Sequence, residues 1–379
     1  MKTIMILGAG EMQVPVILRA QELGVDTLIV DRDADAPGFQ YGGTHAIIST
    51  NDTKQILALG IEHSIDAVMT TSDLPVRVVA EVCLRLGLNG VSVNVAEVCT
   101  NKFLQRQLFQ ENDIKSPKYQ LVRSVSDIKE SYNFPVIVKP VDSSASRGVK
   151  RVNNKGELLA QIPISAKYST TGDVLVEEFI EGREFSVETL TQNNITAVIA
   201  ITEKVIQGEE FGCFVEDRHI IPARVTQDEY KLICNTVKLA IQAISLDNSP
   251  THTEVKINEN GVYIIEVACR LGGDFITSHL VPLATGVDML GNLIRLSLGE
   301  KIDIYKTKSD VAFVQFINAE NYERCFNYIE DDEHLIIKSE LKPFHSRPIE
   351  NSIDRMGYVI IRVNNFAEMD KHLKSMNGY

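Results

Sequence analysis

Apolar and polar positions alternate in blocks along the first hundred residues. Apolar runs at residues 2–10, 26–31 and 65–73 are short enough for buried strands, and the first ends in a glycine turn. Residues 14–24 and 76–87 instead repeat apolar side chains every three to four positions, and each stretch ends in glycine, as amphipathic helices do. The pattern predicts a parallel, doubly wound α/β lobe.

Helical and strand patterns recur farther along the chain. Residues 225–244 have helical spacing, and the side chains predicted to face inward are Tyr230, Ile233, Val237, Ala240, Ile241 and Ile244. Residues 311–316 and 357–363 read as strands separated by a charged stretch. No catalytic constellation stands out after residue 300, so a small α/β unit that closes one side of a site is expected there.

A predicted hairpin carries the most informative polar residues. The strands H-T-E-V-K-I and V-Y-I-I-E-V flank a turn at residues 258–261, which sets Glu254 almost opposite Glu266. Two such carboxylates can share one Mg²⁺, with water and phosphate completing its shell. Arg270, four residues on, can hold a phosphate or acyl phosphate bidentately. The alternative is a solvated hairpin edge with ordinary surface acids.

Upstream residues suit a nucleotide. Lys102 begins a predicted helix, and Lys139 ends a predicted strand. Residues 141–150 form a small-residue loop whose amides can cover phosphates. In the following strand, the main chain from Glu177 to Ile180 can meet an adenine edge, and Glu184 can accept ribose hydroxyls. Taken singly, each lysine is a surface residue by default.

In this order, these residues resemble the ATP-grasp superfamily of ligases over nearly the whole chain. The resemblance implies that ATP binds through Lys102, Lys139, Glu177, Ile180, Glu184 and the Ser143 to Gly148 cover loop, including Ser144 and Ser146. It implies Mg²⁺ or Mn²⁺ on Glu254 and Glu266, with Arg270, Lys139 and Lys204 as catalytic residues.

Two departures from the family pattern stand out. Ala268 replaces an asparagine that many members have two residues after the second metal glutamate, which leaves the number of metal ions open. Asp142 and Ala145 stand where relatives often have glycines, so a stiffer loop with slower closure is expected.

Two further stretches resemble the carboxylate-amine, or L-amino-acid, ligase branch. Gly272 and Gly273 permit close backbone approach to a substrate, ahead of Asp274 and of an A-T-G-V-D segment that is expected to resume a helix. Glu216 and His219, three residues apart, are implied near an acceptor pocket; a surface glutamate and a turn histidine are the alternative. By the same resemblance, Ser72 and Asp73 face the substrate.

Composition narrows the class of protein. The 379 residues are too many for one core, and a formal charge of -13 with a pI near 5.2 argues against nucleic acid as a partner. Six scattered cysteines (Cys83, Cys99, Cys213, Cys234, Cys269 and Cys325) lack metal spacing and read as reduced thiols. No apolar run approaches membrane-spanning length, and the chain opens directly into a strand, so a cytoplasmic protein with no membrane partner is expected.

The fold class that follows is α/β and α+β, an ATP-grasp fold in three units. A Rossmann-like lobe is expected at residues 1–97, and the ATP-grasp region at 98–300, divided into 98–165 and 166–300. A small C-terminal α/β domain is expected at 301–379. Ligases of this kind are commonly dimers, so a homodimer is the expected assembly.

The expected function is an ATP-dependent carboxylate-amine ligase that works through an acyl phosphate and releases ADP. Three alternatives stay open at this point. One is an ATP-grasp enzyme that activates bicarbonate or formate, and another is a non-catalytic ATP-binding protein, which Ala268 leaves open. The third is a NAD-dependent oxidoreductase, since Gly8, Gly10 and Asp31 imitate a dinucleotide fingerprint, although position 13 is glutamine rather than the third glycine.

Overall fold

The computed structural model describes residues 2–128, 131–207, 214–331, 333–347 and 352–378. Cys213 lies outside them, and the other five cysteines are buried free thiols. The strands are β1 (Thr3–Leu7), β2 (Asp26–Asp31), β3 (Thr44–Ile47), β4 (Ala67–Met69), β5 (Tyr119–Val122), β6 (Val136–Pro140), β7 (Lys150–Val152), β8 (Val174–Glu178), β9 (Arg183–Gln192), β10 (Ile195–Gln207), β11 (Val215–Ile221), β12 (Ser249–Asn258), β13 (Gly261–Ala268), β14 (Val311–Phe316), β15 (Ile336–Leu341) and β16 (Gly357–Val363).

Helices pack between and over these strands. They are α1 (Val14–Glu22), α2 (Thr53–Glu62), α3 (Val76–Leu86), α4 (Val93–Cys99), α5 (Lys102–Glu111), α6 (Lys155–Ala166), α7 (Gln227–Ile244), α8 (Val281–Thr285), α9 (Met289–Ser297), α10 (Tyr322–Asp331) and α11 (Phe366–Asn377). Within the described part of the chain, no helix is both long enough and apolar enough to cross a membrane.

The N-terminal sheet is parallel, with strand order β3-β2-β1-β4. Strands β1, β2 and β4 are short apolar runs buried on both faces, which is the pattern of a sheet covered by helices on both sides, whereas the edge strand β3 is mostly exposed. The predicted doubly wound lobe is therefore confirmed. Asp31 at the end of β2 accepts hydrogen bonds from the main-chain N–H groups of Ala9 (2.8 Å) and Asp33 (3.0 Å). Its carboxylate thus holds the glycine turn, which weakens the dinucleotide alternative.

Two antiparallel sheets follow. The first has the order β5-β8-β6-β7 and packs its apolar face against α6. The second has eight strands in the order β13-β12-β9-β10-β11-β14-β16-β15. Because β14, β16 and β15 extend the same sheet as β9 to β13, hydrogen bonding runs without a break across the predicted boundary at residue 300. The division into three units stays a prediction.

Helix α7 shows how local sequence and packing agree. Thr226 and Glu229 form a reciprocal capping box at its N-terminus. Five of the six residues predicted to face inward are buried, and they pack with α4, α5 and strands of the large sheet in one apolar cluster. Tyr230 is the exception: it lies in the first turn and is 37% exposed, so its inward placement was wrong.

The segment after the hairpin differs from the sequence expectation. Residues 276–280 form a π-helix that runs into the short helix α8, which ends at Thr285. Gly286 caps it with a φ of 78°. The A-T-G-V-D segment therefore ends one helix, and Asp288 caps the next one through a hydrogen bond from the N–H of Gly291 (2.8 Å).

Candidate functional site

A cavity of about 310 Å³ lies where the large antiparallel sheet meets the smaller one and the N-terminal lobe. It brings together nearly all the residues singled out in the sequence. Ser72, Gly148 and Gly272 are the ones that do not line it. The cavity walls also include residues that the sequence did not single out, among them Phe179, Phe214, His252 and Lys256.

Lysines mark one end of the cavity. Lys102, the first residue of α5, places its Nζ 2.9 Å from Glu266 Oε1 and 2.6 Å from the carbonyl oxygen of Ser143. Lys139, on β6, places its Nζ 2.6 Å from Glu177 Oε2. Both lysines are buried and face the loop after β6. Two ammonium groups beside a small-residue loop suit a polyphosphate.

The Glu177 side chain has a structural task that the sequence did not indicate. It is 2% exposed and forms ion pairs with both Lys139 and the fully buried Arg106, the latter at 2.8 Å. Burial opposes ionisation of Glu177, but the two cations outweigh it and lower its pKa. Burial is also the main cause of the lowered pKa of Lys139. Only the main chain of Glu177 is left for the predicted adenine contact.

The loop from Ser143 to Gly148 adopts an unusual backbone. Ala145 and Ser146 have φ values of 55° and 54°, in the left-handed region that glycine enters most readily. Asp142 accepts a hydrogen bond from the N–H of Thr170 at 3.1 Å, which ties down the start of the loop. A Cβ on Gly148 would lie 2.8 Å from the ring of Tyr168, so this glycine is required for packing and does not line the cavity.

An apolar wall adjoins the lysine end. Ile137, Phe179, Ile180, Ile206 and Phe214 line it, as expected of a pocket for a planar base. Glu184, predicted to take ribose hydroxyls, lies on the neighbouring strand β9, within 2.9 Å of Lys204 Nζ and 3.7 Å of Lys256 Nζ. Its carboxylate reaches the cavity but is held between two ammonium groups.

The hairpin register is as predicted. Glu254 on β12 pairs with Glu266 on β13, next to a β-bulge. Lys204 Nζ lies 2.8 Å from Glu254 Oε1, and Lys102 Nζ lies at a similar distance, 2.9 Å, from Glu266 Oε1. Burial would favour the neutral form of Glu254, but Lys204 and His252 lower its pKa well below the usual range.

These two carboxylates fit a hard divalent cation. Both are oxygen donors at opposed positions, and both reach the cavity. The described residues contain no group of three or more His, Cys, Asp or Glu side chains that could hold a metal ion. A metal here would therefore depend on water and phosphate oxygens for its remaining ligands, as Mg²⁺ commonly does.

His252 was missed by the sequence analysis. Its Nδ1 lies 2.6 Å from Glu188 Oε1, and its Nε2 lies 3.7 Å from Glu254 Oε1. Burial alone would lower the pKa of His252, but Glu188 and Glu254 raise it to about 9. A Cβ on Gly272 would lie 2.7 Å from His252 Nδ1, so Gly272 packs on this pair rather than approaching a substrate.

Arg270 lies between the hairpin and the N-terminal lobe. Its Nε and Nη2 donate to the two carboxylate oxygens of Asp73 at 2.6 and 3.0 Å. Burial disfavours the charged guanidinium, but Asp73 more than compensates and raises its pKa. Ser72 points elsewhere: with Thr71 it accepts hydrogen bonds from Gln13 Nε2 above the glycine turn.

The opposite end of the cavity holds the predicted acceptor residues. His219 Nε2 lies 3.7 Å from Asp274 Oδ2, and a Cβ added to Gly273 would meet open space. Arg355, just before β16, joins Glu216 and Asp274 with contacts of 2.6 and 2.8 Å. The sequence offered little signal for Arg355, because it lies in a charged stretch far from the hairpin.

Comparisons with known proteins agree with this architecture. A family model of the ATP-grasp domain matches residues 132–278. The chain is 27% identical over 280 residues to the alanine–anticapsin ligase of Bacillus subtilis, an alignment that covers 67% of this chain and 58% of that protein. It is 29% identical over 390 residues to the formate-dependent phosphoribosylglycinamide formyltransferase of Parasynechococcus marenigrum, covering 97% of this chain and 94% of that one.

Among solved structures, the L-amino acid ligase from Bacillus licheniformis matches 100% of this chain and 97% of its own, with a TM-score of 0.84 at 20% identity. That likeness concerns the fold. The chain spans only 58% of the length of the alanine–anticapsin ligase and 65% of the length of another curated relative. Residues 132–278 thus match an ATP-grasp domain, and the whole chain shares the fold of that solved ligase.

Proposed function

We propose that the chain is an ATP-dependent ligase that joins a carboxylate to an amine and releases ADP and phosphate. One observation carries the proposal: the lysine-lined end, the opposed glutamates and Arg270 all face a single cavity. The curated relatives include alanine–anticapsin ligase and D-alanine–D-alanine ligase, whose names describe the ligation of alanine to anticapsin and of D-alanine to D-alanine.

The proposed reaction has two steps. A substrate carboxylate oxygen attacks the γ-phosphorus of ATP, and the bond to the β,γ-bridging oxygen breaks to give ADP and an acyl phosphate. The amine substrate, if it binds as an ammonium ion, first gives up a proton to water. The neutral nitrogen then attacks the acyl carbon, the carbon–oxygen bond to phosphate breaks, and phosphate leaves with that electron pair while the nitrogen releases a proton to water. In this scheme Lys102 and Lys139 bind the phosphates of ATP, and Arg270 stabilises the charge on the transferring group.

Mg²⁺, or Mn²⁺ in its place, would be held by Glu254 and Glu266 and would offset charge on the phosphate oxygens. In the free protein Lys204 and Lys102 balance these carboxylates. Lys204 would then contact the phosphates or the substrate. The loop from Ser143 to Gly148 would exclude water, since an acyl phosphate is hydrolysed if water reaches it.

The remaining contacts predicted from the sequence belong to the same proposal. Ile180, the main chain of Glu177 and the Glu184 carboxylate form the proposed adenosine contacts, and Glu216, His219 and Asp274 the proposed acceptor contacts. A cytoplasmic location, a homodimer and the three-unit division also stay predictions.

A second candidate is activation of formate or bicarbonate. It is favoured by the alignment with the formate-dependent formyltransferase, because that alignment covers nearly all of both chains. The two candidates share every step up to the acyl phosphate and differ in the carboxylate and in the nucleophile.

The test is release of ADP and phosphate from Mg-ATP by the purified protein. Pools of the twenty amino acids are supplied with and without small carboxylic acids, formate and bicarbonate, and products are identified by mass. We expect release that requires a particular carboxylate and amine, together with a condensation product. Release that requires formate or bicarbonate and no amino acid would favour the second candidate. ATP binding without release in any pool would contradict both.

A matched pair of variants tests the metal assignment. Glu266→Gln should lower kcat by about 100-fold or more, since loss of one carboxylate removes several kcal/mol of electrostatic stabilisation in the transition state. Glu259→Gln, in the exposed turn of the same hairpin, should leave kcat unchanged. Urea unfolding and circular dichroism check that both variants are folded. Full activity of a folded Glu266→Gln protein would rule out the metal assignment.

A further inference from the structure

Arg355 stands behind the acceptor end of the cavity, outside its lining. It is 6% exposed and follows a 3₁₀ turn at residues 352–354. Its guanidinium lies 3.7 Å from the ring centre of Phe316. Nη2 donates to Glu216 Oε2 at 2.6 Å, and Nη1 donates to Asp274 Oδ2 at 2.8 Å. One side chain from the C-terminal segment thus fixes two carboxylates from separate elements.

The carboxylates of Glu216 and Asp274 face the cavity, away from Arg355. Both Glu216 and Asp274 line the cavity, and their side chains keep 22% and 36% of their surface exposed. If Arg355 served only to pack the interior, its carboxylate partners would be expected to lie away from the cavity. The arrangement places the cation on the protein side of each carboxylate and leaves the opposite side open to a ligand.

The backbone at Asp274 depends on the same contact. Asp274 and Phe275 have φ values of 48° and 65°, and two consecutive non-glycine residues in the left-handed region are costly. Arg355 holds the first through its carboxylate. Tyr358, on β16, holds the second by ring packing at 4.2 Å. The C-terminal segment therefore maintains the conformation that turns Asp274 toward the cavity.

The net charge of the side chains at this end of the cavity determines which ligand they favour. Glu216, Asp274 and Arg355 together carry one net negative charge, to which His219, 3.7 Å from Asp274, adds nothing when its imidazole is neutral. Lys204, 3.6 Å from Glu216, is shared with Glu184 and Glu254 and does not neutralise the group alone. A subsite with two ordered carboxylates and one net negative charge favours a ligand with a single ammonium group.

We propose that Arg355 is a positioning residue that orders Glu216 and Asp274 as the ammonium-binding subsite for the amine substrate. The assignment of an amine rests on the proposed function. The positioning of the two carboxylates does not, and the experiments separate the two.

The kinetic test compares Arg355→Met, Arg355→Lys and Arg362→Met in the full chain. Arg362 lies on β16, half-exposed and 3.8 Å from Asp310, and serves as the matched control. ADP release is measured while the amine is varied at saturating Mg-ATP, and then while ATP is varied. We expect Arg355→Met to raise the KM for the amine by about tenfold and the KM for ATP by less than about twofold. Arg355→Lys should recover part of the loss, and Arg362→Met should match the wild type.

An equal rise of both KM values, or no change in either, would overturn the positioning role. A second measurement needs no turnover. Hydrogen exchange in the peptide covering residues 271–280 should be faster in Arg355→Met, or in Arg355→Lys if the first variant does not fold, while residues 249–268 keep their protection. Unchanged exchange at 271–280 would refute the inference even if no amine supports activity. Faster exchange there in the Arg355 variant, when no amine activates the wild-type protein, would instead count against the proposed ligase alone.

Discussion

Buried charges in this protein come in sets whose members depend on one another. Glu177 is the clearest case, since it forms ion pairs with both Arg106 and Lys139 and has almost no exposure to water. Each cation would be costly to bury alone. Lys139 can therefore be buried beside the cavity only because Glu177 lies beneath it.

Replacing Glu177 with glutamine should damage both stability and nucleotide binding. The change leaves two adjacent buried cations without an anion, so we expect a loss of about 3–5 kcal/mol in the free energy of unfolding. Urea unfolding measures it. Titration of the folded fraction with Mg-ADP should also show weaker binding, since Lys139 loses its anchor. Glu181→Gln, at a nearby exposed position outside the cavity lining, is the control. Equal stability of the two variants would contradict the prediction.

The sequence predicted the residues that line the cavity better than it predicted the residues that form ion pairs with them. Lys102, Lys139, Glu254 and Glu266 were identifiable because each lies at an element boundary or in a hairpin register that local sequence determines. Arg106, Glu188 and Arg355 were not, because their partners lie more than sixty residues away in sequence. Nothing in the local pattern distinguishes a helix arginine on the surface from one that is fully buried.

At the scale of elements, the pairing of β9 with β12 creates a feature that neither strand has alone. The register sets His252 directly opposite Glu188, and both are buried. Glu254, two residues along β12, and Arg270, after β13, complete the charged surroundings of the imidazole.

This pair predicts a pH-dependent part of the stability. The folded-state pKa of His252, about 9, exceeds the ordinary value of 6.5. Its contribution is therefore fully present below about pH 6.5 and is lost as the pH rises through about 9. With about 1.4 kcal/mol for each pKa unit, it amounts to about 3 kcal/mol.

The measurement is urea unfolding of the metal-free protein, in chelator, at pH 6 and pH 9.5. The stability difference between wild type and His252→Asn should shrink by about 3 kcal/mol between these values, because the variant lacks the titrating group. His45→Asn, at an exposed histidine, should show no such change in difference. If the stability difference between wild type and His252→Asn is the same at both pH values, the raised pKa of His252 in the folded protein is contradicted.

At the scale of elements, the sequence predicts only part of the fold. The hairpin of β12 and β13 and the helix α7 follow from turn residues, capping and spacing within a few positions. The eight-stranded sheet does not, since β11 pairs with β14 across about ninety residues. Strand order of this kind depends on packing between distant segments, which periodicity cannot show.

At the scale of the whole molecule, ion pairs join the N-terminal lobe to the rest. Arg270 meets Asp73, Arg19 meets Asp288, and Lys2 meets Glu300. The three differ in burial. Lys2 and Glu300 are about half exposed, so their pair contributes little. The Arg270–Asp73 pair is mostly buried and opens onto the cavity, so it couples lobe position to the site.

Asp73→Asn tests that coupling. An asparagine keeps the size of the side chain but removes the charge that orients the guanidinium, so Arg270 should lose its fixed position. We expect kcat to fall by about 10- to 100-fold, because small displacements of a charge-stabilising group are costly in the transition state. The dissociation constant for Mg-ADP should change by less than about twofold, since Lys102 and Lys139 are untouched.

Glu300→Gln removes an exposed pair between the same two parts of the molecule, and should leave both quantities unchanged. Steady-state ADP release and nucleotide titration measure the two effects separately. Weaker Mg-ADP binding by Asp73→Asn, with kcat preserved, would mean that the pair supports the nucleotide end of the cavity instead of the reacting group.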